Sequence, residues 1–173
     1  MNTIWVRLNA VVFFGFTVLL CLACMCSFST FLHKGEPHIK YLGLNTIRSM
    51  RAQKGGDRVL ISFDIDADLS GAFNWNIKQL FVFVVAEYAT KTNPFNQVIL
   101  WDKIVQSPEE ARIKEPKVFV KYALIDQGPE LRSNNVTLKL YWDHMPLTGR
   151  LYMHDSIGDA KANEFQLPDE YFK

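Results

Sequence analysis

The sequence lacks cysteine beyond position 26, because Cys21, Cys24 and Cys26 all fall within one apolar run. The rest of the chain can therefore form neither a disulfide nor a thiolate metal site, and it must be stable through its hydrophobic core alone. Within such a run cysteine usually acts as a small hydrophobic residue, with palmitoylation or an intramembrane contact as the alternatives.

The sequence also lacks an excess of charge of either sign. It holds 19 Lys and Arg against 18 Asp and Glu, a formal net charge of +1. Arg7 is the only charged residue before position 33, so the two signs balance over the remainder of the chain. A nucleic-acid partner is excluded on this ground, because neither a net positive field nor an arginine-rich stripe is present.

What the sequence does contain is a run of 25 residues, 8–32, without Lys, Arg, Asp, Glu or His. A helix of that length extends about 37 Å at 1.5 Å per residue. The hydrocarbon core of a bilayer is about 30 Å thick. The run therefore predicts a transmembrane helix over 8–32, preceded by a short terminus of residues 1–7 and followed by one domain of residues 33–173.

The length of the run distinguishes an uncleaved anchor from a cleaved signal. A secretory signal peptide has an apolar region of about 7–15 residues, and a lipoprotein site at Leu22-Ala23-Cys24 would need a similarly short one. We therefore expect a signal-anchor that is retained in the mature protein and contacts the lipid bilayer.

The side of the membrane that receives the domain is not decided by charge. Arg7 and the free amino terminus precede the run, whereas Lys34, Lys40, Arg48 and Arg51 follow it. The positive-inside rule applied to these charges predicts a cytosolic domain. The sequon Asn135-Val136-Thr137 is useful only in the lumen, where N-glycosylation takes place. The residues alone leave both orientations open.

Alternating apolar residues beyond the anchor predict an antiparallel β-sandwich. The clearest pattern is Val59–Asp68, and the unbroken apolar run Leu80–Val85 predicts a central strand that is covered on both faces. The charged segment Ser107–Pro116 is expected to be a loop or one exposed helical turn. Asn135 is expected at an exposed strand edge, with Thr137 and Tyr141 on the outward face. The predicted strands are 39–50, 59–68, 74–88, 97–105, 118–125, 136–142, 151–153 and 165–167.

The sequence shows no catalytic, cofactor or metal motif. Asp64, Asp66 and Asp68 resemble the start of a calcium loop, but Leu69 stands where that loop needs glycine, so they predict a charged outer face. Asp143 and His144 are adjacent and point to opposite faces of a strand, which is a poor arrangement for an oriented base. Phe73 and Phe95, with nearby tryptophans, are candidates for an apolar patch that binds a partner or the membrane surface.

The segments Asn74–Phe81, Ala86–Tyr88 and Asn96–Ile104 resemble subunit 3 of the eukaryotic signal peptidase complex. The resemblance implies a single-pass protein of the endoplasmic reticulum membrane, with a cytosolic N-terminus, a lumenal C-terminal domain and glycosylation at Asn135. It also implies a hetero-oligomer with the catalytic and other subunits of a complex that removes signal peptides. In that family catalysis belongs to another subunit, so no catalytic residue carries over.

Two other functions are compatible with these residues. A membrane-tethered β-sandwich could be a receptor or adhesion module, and a hydrolase site could be assembled from residues that are distant in sequence.

Overall fold

The apolar run near the N-terminus forms a helix. The computed structural model describes residues 3–33, 35–156 and 163–172. Helix α1 spans Ile4–Ser29, and a short 3-10 helix continues it over Thr30–Leu32. No residue of α1 is buried, and together the two segments are long and apolar enough to cross a bilayer. The helix begins earlier than predicted because Arg7 is followed and preceded by apolar residues and does not interrupt the helical turns.

Nine strands follow α1 within the described residues. They are β1 His38–Gln53, β2 Gly56–Asp68, β3 Ile77–Tyr88, β4 Asn96–Val105, β5 Arg112–Phe119, β6 Leu124–Ile125, β7 Asn135–Pro146, β8 Tyr152–Ser156 and β9 Glu164–Gln166.

All of the strand pairs in the two sheets are antiparallel. The first sheet has the order β1-β2-β5, and β6 pairs with the opposite end of β2. The second sheet has the order β4-β3-β7-β8, and β9 pairs with the beginning of β7. Because β7 runs from Asn135 to Pro146, its two ends lie at opposite ends of the second sheet.

One hydrophobic core is shared by the two sheets. Ile61 and Phe63 enter it from β2, while Val82 enters from β3 and Leu138 and Leu140 from β7. Each is essentially inaccessible to solvent, and burying a side chain of this size stabilises the fold by about 1.5–3 kcal/mol. The shared core confirms the predicted antiparallel β-sandwich behind one apolar helix.

The predicted central strand is β3, which lies between β4 and β7. Val82 and Val84 face the shared core, and on the opposite face Phe83 and Val85 are only 9% and 3% exposed. Tyr141 of β7 stacks on Phe83 with 5.5 Å between ring centroids. The second face is thus covered, at least in part, by an aromatic ring from the neighbouring strand.

The prediction for residues 107–125 was wrong in one respect. The second half of the charged segment belongs to strand β5, which continues through Phe119. The strand predicted over 118–125 is therefore interrupted at residues 120–123, and its last two residues, Leu124–Ile125, pair separately as β6. Ile113 is buried opposite Ala67 of β2, while the charged residues on either side of it face outward. An edge strand needs only one apolar face, and here that face is too short to stand out against its charged neighbours.

A bulge in β4 turns one backbone carbonyl away from the sheet. Trp101 and Ile99 pair with successive residues of β3, and Leu100 between them is left without a partner in the ladder. Its carbonyl accepts hydrogen bonds from the backbone N–H groups of Lys121 (2.8 Å) and Tyr122 (3.0 Å). The segment after β5 therefore covers the middle of the outer edge of β4.

The turn between β1 and β2 depends on two glycines. Gly55 has a φ of +104° and Gly56 a φ of +152°, a region that residues with a Cβ rarely adopt. A Cβ on Gly56 would also collide with the backbone carbonyl of Asp126, whereas one on Gly55 would meet open space. Residues 54 and 55 form the tip of this turn.

Candidate functional site

Side-chain contacts join the end of α1 to the sheet domain. Trp75, in the connection before β3, donates its indole N–H to Ser29 Oγ at 2.8 Å. The ring of Trp75 also meets the His33 ring edge-on, with 6.0 Å between centroids. His33 Nε2 lies 3.1 Å from the carbonyl oxygen of Gly71. These contacts hold the point at which the chain leaves the apolar helix.

Asn76 connects three parts of the chain at this place. Its side chain is 1% exposed, and its Nδ2 donates to Thr148 O at 2.8 Å while its Oδ1 accepts from Thr148 N at 3.1 Å. Cys26 Sγ of α1 lies 3.7 Å from the same Oδ1, and Thr148 Oγ1 lies 3.4 Å from Ala23 O of the helix. The buried amide thus ties the β7–β8 connection to the start of β3 and to α1.

A cavity of about 700 Å³ opens beside these contacts. Phe28 and Phe31 line it from the end of the apolar helix, and Trp142, His144 and Arg150 line it from β7 and the β7–β8 connection. Small-molecule sites in proteins have volumes of about 300–1,000 Å³. We call this space the junction cavity.

Four rings form one wall of the junction cavity. The register of β7 and β8 sets Trp142 opposite His154 and His144 opposite Tyr152. Trp142 stacks on His154 at 6.1 Å, and His144 lies 5.2 Å from both Tyr152 and His154, centroid to centroid. All four rings line the cavity, so its wall is aromatic and carries nitrogen and hydroxyl groups.

Two nitrogen atoms in this wall are buried without a hydrogen-bond partner among the described residues, namely Trp142 Nε1 and His144 Nδ1. The two side chains are only 5% and 7% exposed. A buried polar atom left unsatisfied costs about 1–3 kcal/mol, so such atoms are uncommon and are concentrated where something else binds.

The ring of His144 is neutral at neutral pH. Burial lowers the pKa of His144, and the neighbouring His154 lowers it further, while Asp143 and nearby backbone groups act in the opposite direction without cancelling the shift. His144 can therefore offer one N–H and one unprotonated nitrogen. Arg150 supplies the permanent positive charge of the cavity.

A separate polar cluster lies on the outer face of the second sheet. Glu87 accepts hydrogen bonds from Tyr141 Oη (2.7 Å) and Gln97 Nε2 (2.7 Å) and forms an ion pair with Lys139 (2.7 Å). Burial alone would raise the pKa of Glu87, but these three partners outweigh it and lower the pKa. Burial, followed by the hydrogen bond to the same carboxylate, raises the pKa of Tyr141 to about 12. All groups in the cluster are satisfied, which indicates a role in stability.

The sequon lies far from the junction. Asn135 is exposed and begins β7, and its backbone pairs with Gln166 of β9. The strand extends about 3.3 Å per residue, which places Asn135 roughly 36 Å from Pro146 at the junction end. Thr137 and Tyr141 lie on the face opposite the core, as the alternation predicted.

The acidic residues of β2 face outward as predicted, whereas the two phenylalanines of the predicted aromatic patch lie apart. Asp64, Asp66 and Asp68 alternate with buried residues on the outward face of β2, and no metal-binding group of His, Cys, Asp or Glu exists among the described residues. Phe73 lies before the start of β3 and packs against the core, whereas Phe95 lies after the end of β3, directly before β4. The idea of one patch containing both was therefore wrong.

Four serine hydroxyls donate hydrogen bonds to carbonyl or carboxylate oxygens. Ser29 Oγ donates to Cys26 O, Ser62 Oγ to Thr46 O, and Ser70 and Ser133 donate to carboxylates. None of these hydroxyls donates to a histidine, as the nucleophile of a serine hydrolase does.

Sequence reasoning missed the junction cavity. His144 continues the alternation of Leu138, Leu140 and Trp142, and a histidine at an inward position of a buried strand was the available signal. The alternation in β7 does not show where its inward side chains stop packing against the first sheet and begin to line a cavity. Asn76 lies within the segment Asn74–Phe81, and no local pattern marks it as a buried contact.

Comparison with known proteins finds relatives that match both the apolar helix and the sheet domain. The profile of the family described as "Signal peptidase subunit" matches residues 1–170. The chain belongs to the signal peptidase subunit family. It is 36% identical over 177 aligned residues to signal peptidase complex subunit 3 of Homo sapiens and of Canis lupus familiaris, covering 99% of this chain and 97% of each relative. The subunit 3 of Drosophila melanogaster is 35% identical over 182 aligned residues.

The family match includes the residues of the junction. Residues 1–170 contain the whole of α1, Asn76, Thr148 and the ring wall of the junction cavity. The signal peptidase subunit family therefore accounts for the helix and the sheet domain together.

Proposed function

We propose that this chain is an accessory, non-catalytic subunit of the signal peptidase complex of the endoplasmic reticulum. In this proposal α1 is a retained signal-anchor, residues 1–7 are cytosolic and the domain of residues 33–173 is lumenal. The chain supports a separate catalytic subunit in removing signal peptides from nascent secretory and membrane proteins.

The observation that carries the proposal is the attachment of the sheet domain to the apolar helix. Trp75 bonds to Ser29 and Asn76 contacts Cys26, so the domain is held by its own side chains as well as by the intervening chain. A tethered domain has a high effective concentration next to a second tethered domain, and a modest interface then suffices for stable association. A domain in a fixed position can also hold a catalytic partner at a constant height above the bilayer.

A non-catalytic role is supported by the use of the polar side chains. The serine hydroxyls described above are bonded to carbonyl or carboxylate oxygens, and the Glu87 cluster is fully satisfied. The names of the relatives, signal peptidase complex subunit 3, support membership in the same type of complex.

A lumenal domain is supported by the exposure of the sequon. Asn135 is accessible and lies at the end of β7 that is remote from α1. A sugar at this position would be clear of the bilayer and of the junction contacts, so glycosylation would not conflict with the fold.

Weakening the junction tests the accessory role. Asn76→Ala removes the amide that joins the helix to the β7–β8 connection, and Trp75→Ala removes the bond to Ser29 from a partly exposed position. Both variants are expected to reduce several-fold the catalytic subunit that co-purifies in mild detergent and the cleavage of a reporter signal peptide. Asn93→Ala, in an exposed loop at the other end of β3, is the matched control.

Three results would contradict the proposal. Full assembly and full cleavage in both junction variants would show that the attachment is not needed for function. Co-purification with an extracellular ligand in place of a catalytic subunit would favour the receptor or adhesion alternative, and peptide cleavage by the isolated chain would favour a hydrolase.

Glycosidase treatment tests orientation and the sequon together. Membrane-bound wild-type protein is expected to gain mobility on a gel after treatment, and Asn135→Gln is expected to migrate at the deglycosylated position without it. An unmodified wild-type protein whose domain is digested by protease added outside intact microsomes would place the domain in the cytosol.

A further inference from the structure

The junction cavity lies at the end of the apolar helix. Phe28 and Phe31, which line it, belong to the last turns of the segment Ile4–Leu32. When that segment spans a bilayer, its end reaches the level of the lipid headgroups, since the segment is about as long as the bilayer is thick. The cavity therefore opens where headgroups are present.

The charges around the cavity suit an anion. Arg150 lines it, and none of the ion pairs among the described residues involves this arginine. None of the described residues that line the cavity is Asp or Glu. An arginine without an acidic partner offers several N–H donors in a geometry that matches phosphate oxygens.

One unsatisfied nitrogen supplies a further polar contact. Trp142 Nε1 can only donate a hydrogen bond, and it is buried without a partner among the described residues, in a side chain that lines the cavity. The neutral ring of His144 has a single N–H, and backbone groups of Tyr152 and Ala72 hydrogen-bond to that ring. The Trp142 N–H is therefore the donor that a group with acceptor oxygens would satisfy.

We propose that the junction cavity binds the phosphate headgroup of a membrane phospholipid. The phosphate accepts from Trp142 and pairs with Arg150, and the apolar part of the lipid lies along Phe28 and Phe31. Inorganic phosphate shares the headgroup's chemistry, but the phenylalanine side chains at the helix end favour an amphiphile. This inference requires that α1 lies in the membrane and does not depend on the subunit's role in the complex.

Native mass spectrometry of the full-length chain tests the proposal. The protein is purified in dodecyl maltoside, a detergent without phosphate, and mixed separately with dioleoylphosphatidylcholine, dioleoylglycerol and inorganic phosphate. Wild-type protein is expected to bind one phosphatidylcholine in preference to dioleoylglycerol, and an excess of inorganic phosphate is not expected to displace it.

Two conservative variants identify the site. Arg150→Gln removes the charge from an exposed position, and Trp142→Phe removes the N–H while keeping an aromatic ring. Each is expected to weaken phosphatidylcholine binding at least tenfold. Arg58→Gln, an exposed arginine on β2, and Trp101→Phe, a buried tryptophan in β4, are the matched controls and should bind as wild type does.

Three results would overturn the proposal. Equal binding of dioleoylglycerol and phosphatidylcholine would show an apolar groove without headgroup recognition. Binding of inorganic phosphate in place of the lipid would assign the site to a free anion. Unchanged lipid binding in Arg150→Gln, with its thermal unfolding also unchanged, would place the lipid elsewhere. Co-purification of the catalytic subunit is measured on the same variants, so a failure here is distinguishable from a failure of the accessory role.

Discussion

Tyr88 donates a 3.0 Å hydrogen bond to Asp126 Oδ1 in the interior of the sandwich. Tyr88 ends β3 of the second sheet, and Asp126 follows β6 of the first, so the bond crosses between the sheets. Asp126 Oδ2 also accepts from the backbone N–H of Gly128. Burial raises the pKa of Tyr88, and the bond to Asp126 raises it further. Tyr88 therefore remains a donor to the carboxylate over the whole neutral range.

Removing this bond should destabilise the protein. Tyr88→Phe leaves one oxygen of a buried carboxylate without its donor, and we expect the free energy of unfolding to fall by about 1–3 kcal/mol. Urea unfolding of the full-length chain in detergent, followed by tryptophan fluorescence, measures the change. Tyr122→Phe, which removes an exposed hydroxyl, is the control, and an equal loss in both variants would contradict the prediction.

The Glu87 cluster should make the free energy of unfolding depend on pH in the acidic range. Because the hydrogen bonds and ion pair lower the pKa of Glu87 below its ordinary value of 4.5, the folded state binds this proton less readily than the unfolded state. The contribution is therefore present above that ordinary value and is lost as the pH falls through the lower, folded pKa.

The measurement is the urea midpoint between neutral pH and about pH 3, where carboxylates become protonated. Glu87→Gln should be less stable than wild type at neutral pH, and the difference should shrink as the pH falls. Glu170→Gln, at an exposed site, should follow the wild-type curve. A pH-independent difference for Glu87→Gln would mean that the cluster acts through packing alone.

Because residues 112–119 form strand β5, substitutions on its two faces should differ in their effect on stability, which they would not do in an exposed loop. Ile113→Ala should lower the free energy of unfolding by about 2–5 kcal/mol, because the side chain is buried in the shared core. Lys114→Ala, on the exposed side of the same strand, should change it by less than about 0.5 kcal/mol. Similar, small effects in both variants would restore the interpretation of 107–116 as a loop.

Alanine substitutions of the two adjacent glycines in the β1–β2 turn should lower stability by different amounts. Gly55→Ala places a side chain in open space and is expected to cost about 1 kcal/mol through its positive φ alone. Gly56→Ala adds a collision with the carbonyl of Asp126, and we expect a substantially larger loss of stability. Thermal unfolding of the two variants side by side measures the difference, and equal melting temperatures would be evidence against the collision.

Much of the fold could be predicted because its strands are buried on one face. In β2 the alternation around Ile61 and Phe63 reports that face directly, and the unbroken run in β3 reports a central position. The edge strand β5 was missed because Ile113 is surrounded by charged residues that face outward. Local pattern predicts burial well only where the buried stripe is long.

The candidate site could not be predicted in the same way. The contacts of Asn76 join residues that are 50 and 72 positions apart in the chain, and no local pattern encodes such a distance. Trp142 and His144 continue an inward-facing stripe, but only the three-dimensional structure shows that the stripe ends in a cavity beside α1. The resemblance to a family indicated the type of complex but not this cavity.

The bulge at Leu100 has a consequence for self-association. A regular outer strand offers unpaired carbonyl and N–H groups that invite another polypeptide to add as a further strand. In β4 the Leu100 carbonyl already accepts hydrogen bonds from the backbone N–H groups of Lys121 and Tyr122. An incoming extended chain therefore cannot form a continuous ladder of hydrogen bonds along this edge strand. In the role proposed above, the protein would act beside newly made polypeptides, and the bulge would reduce their pairing to β4 as additional strands and the aggregation that such pairing starts.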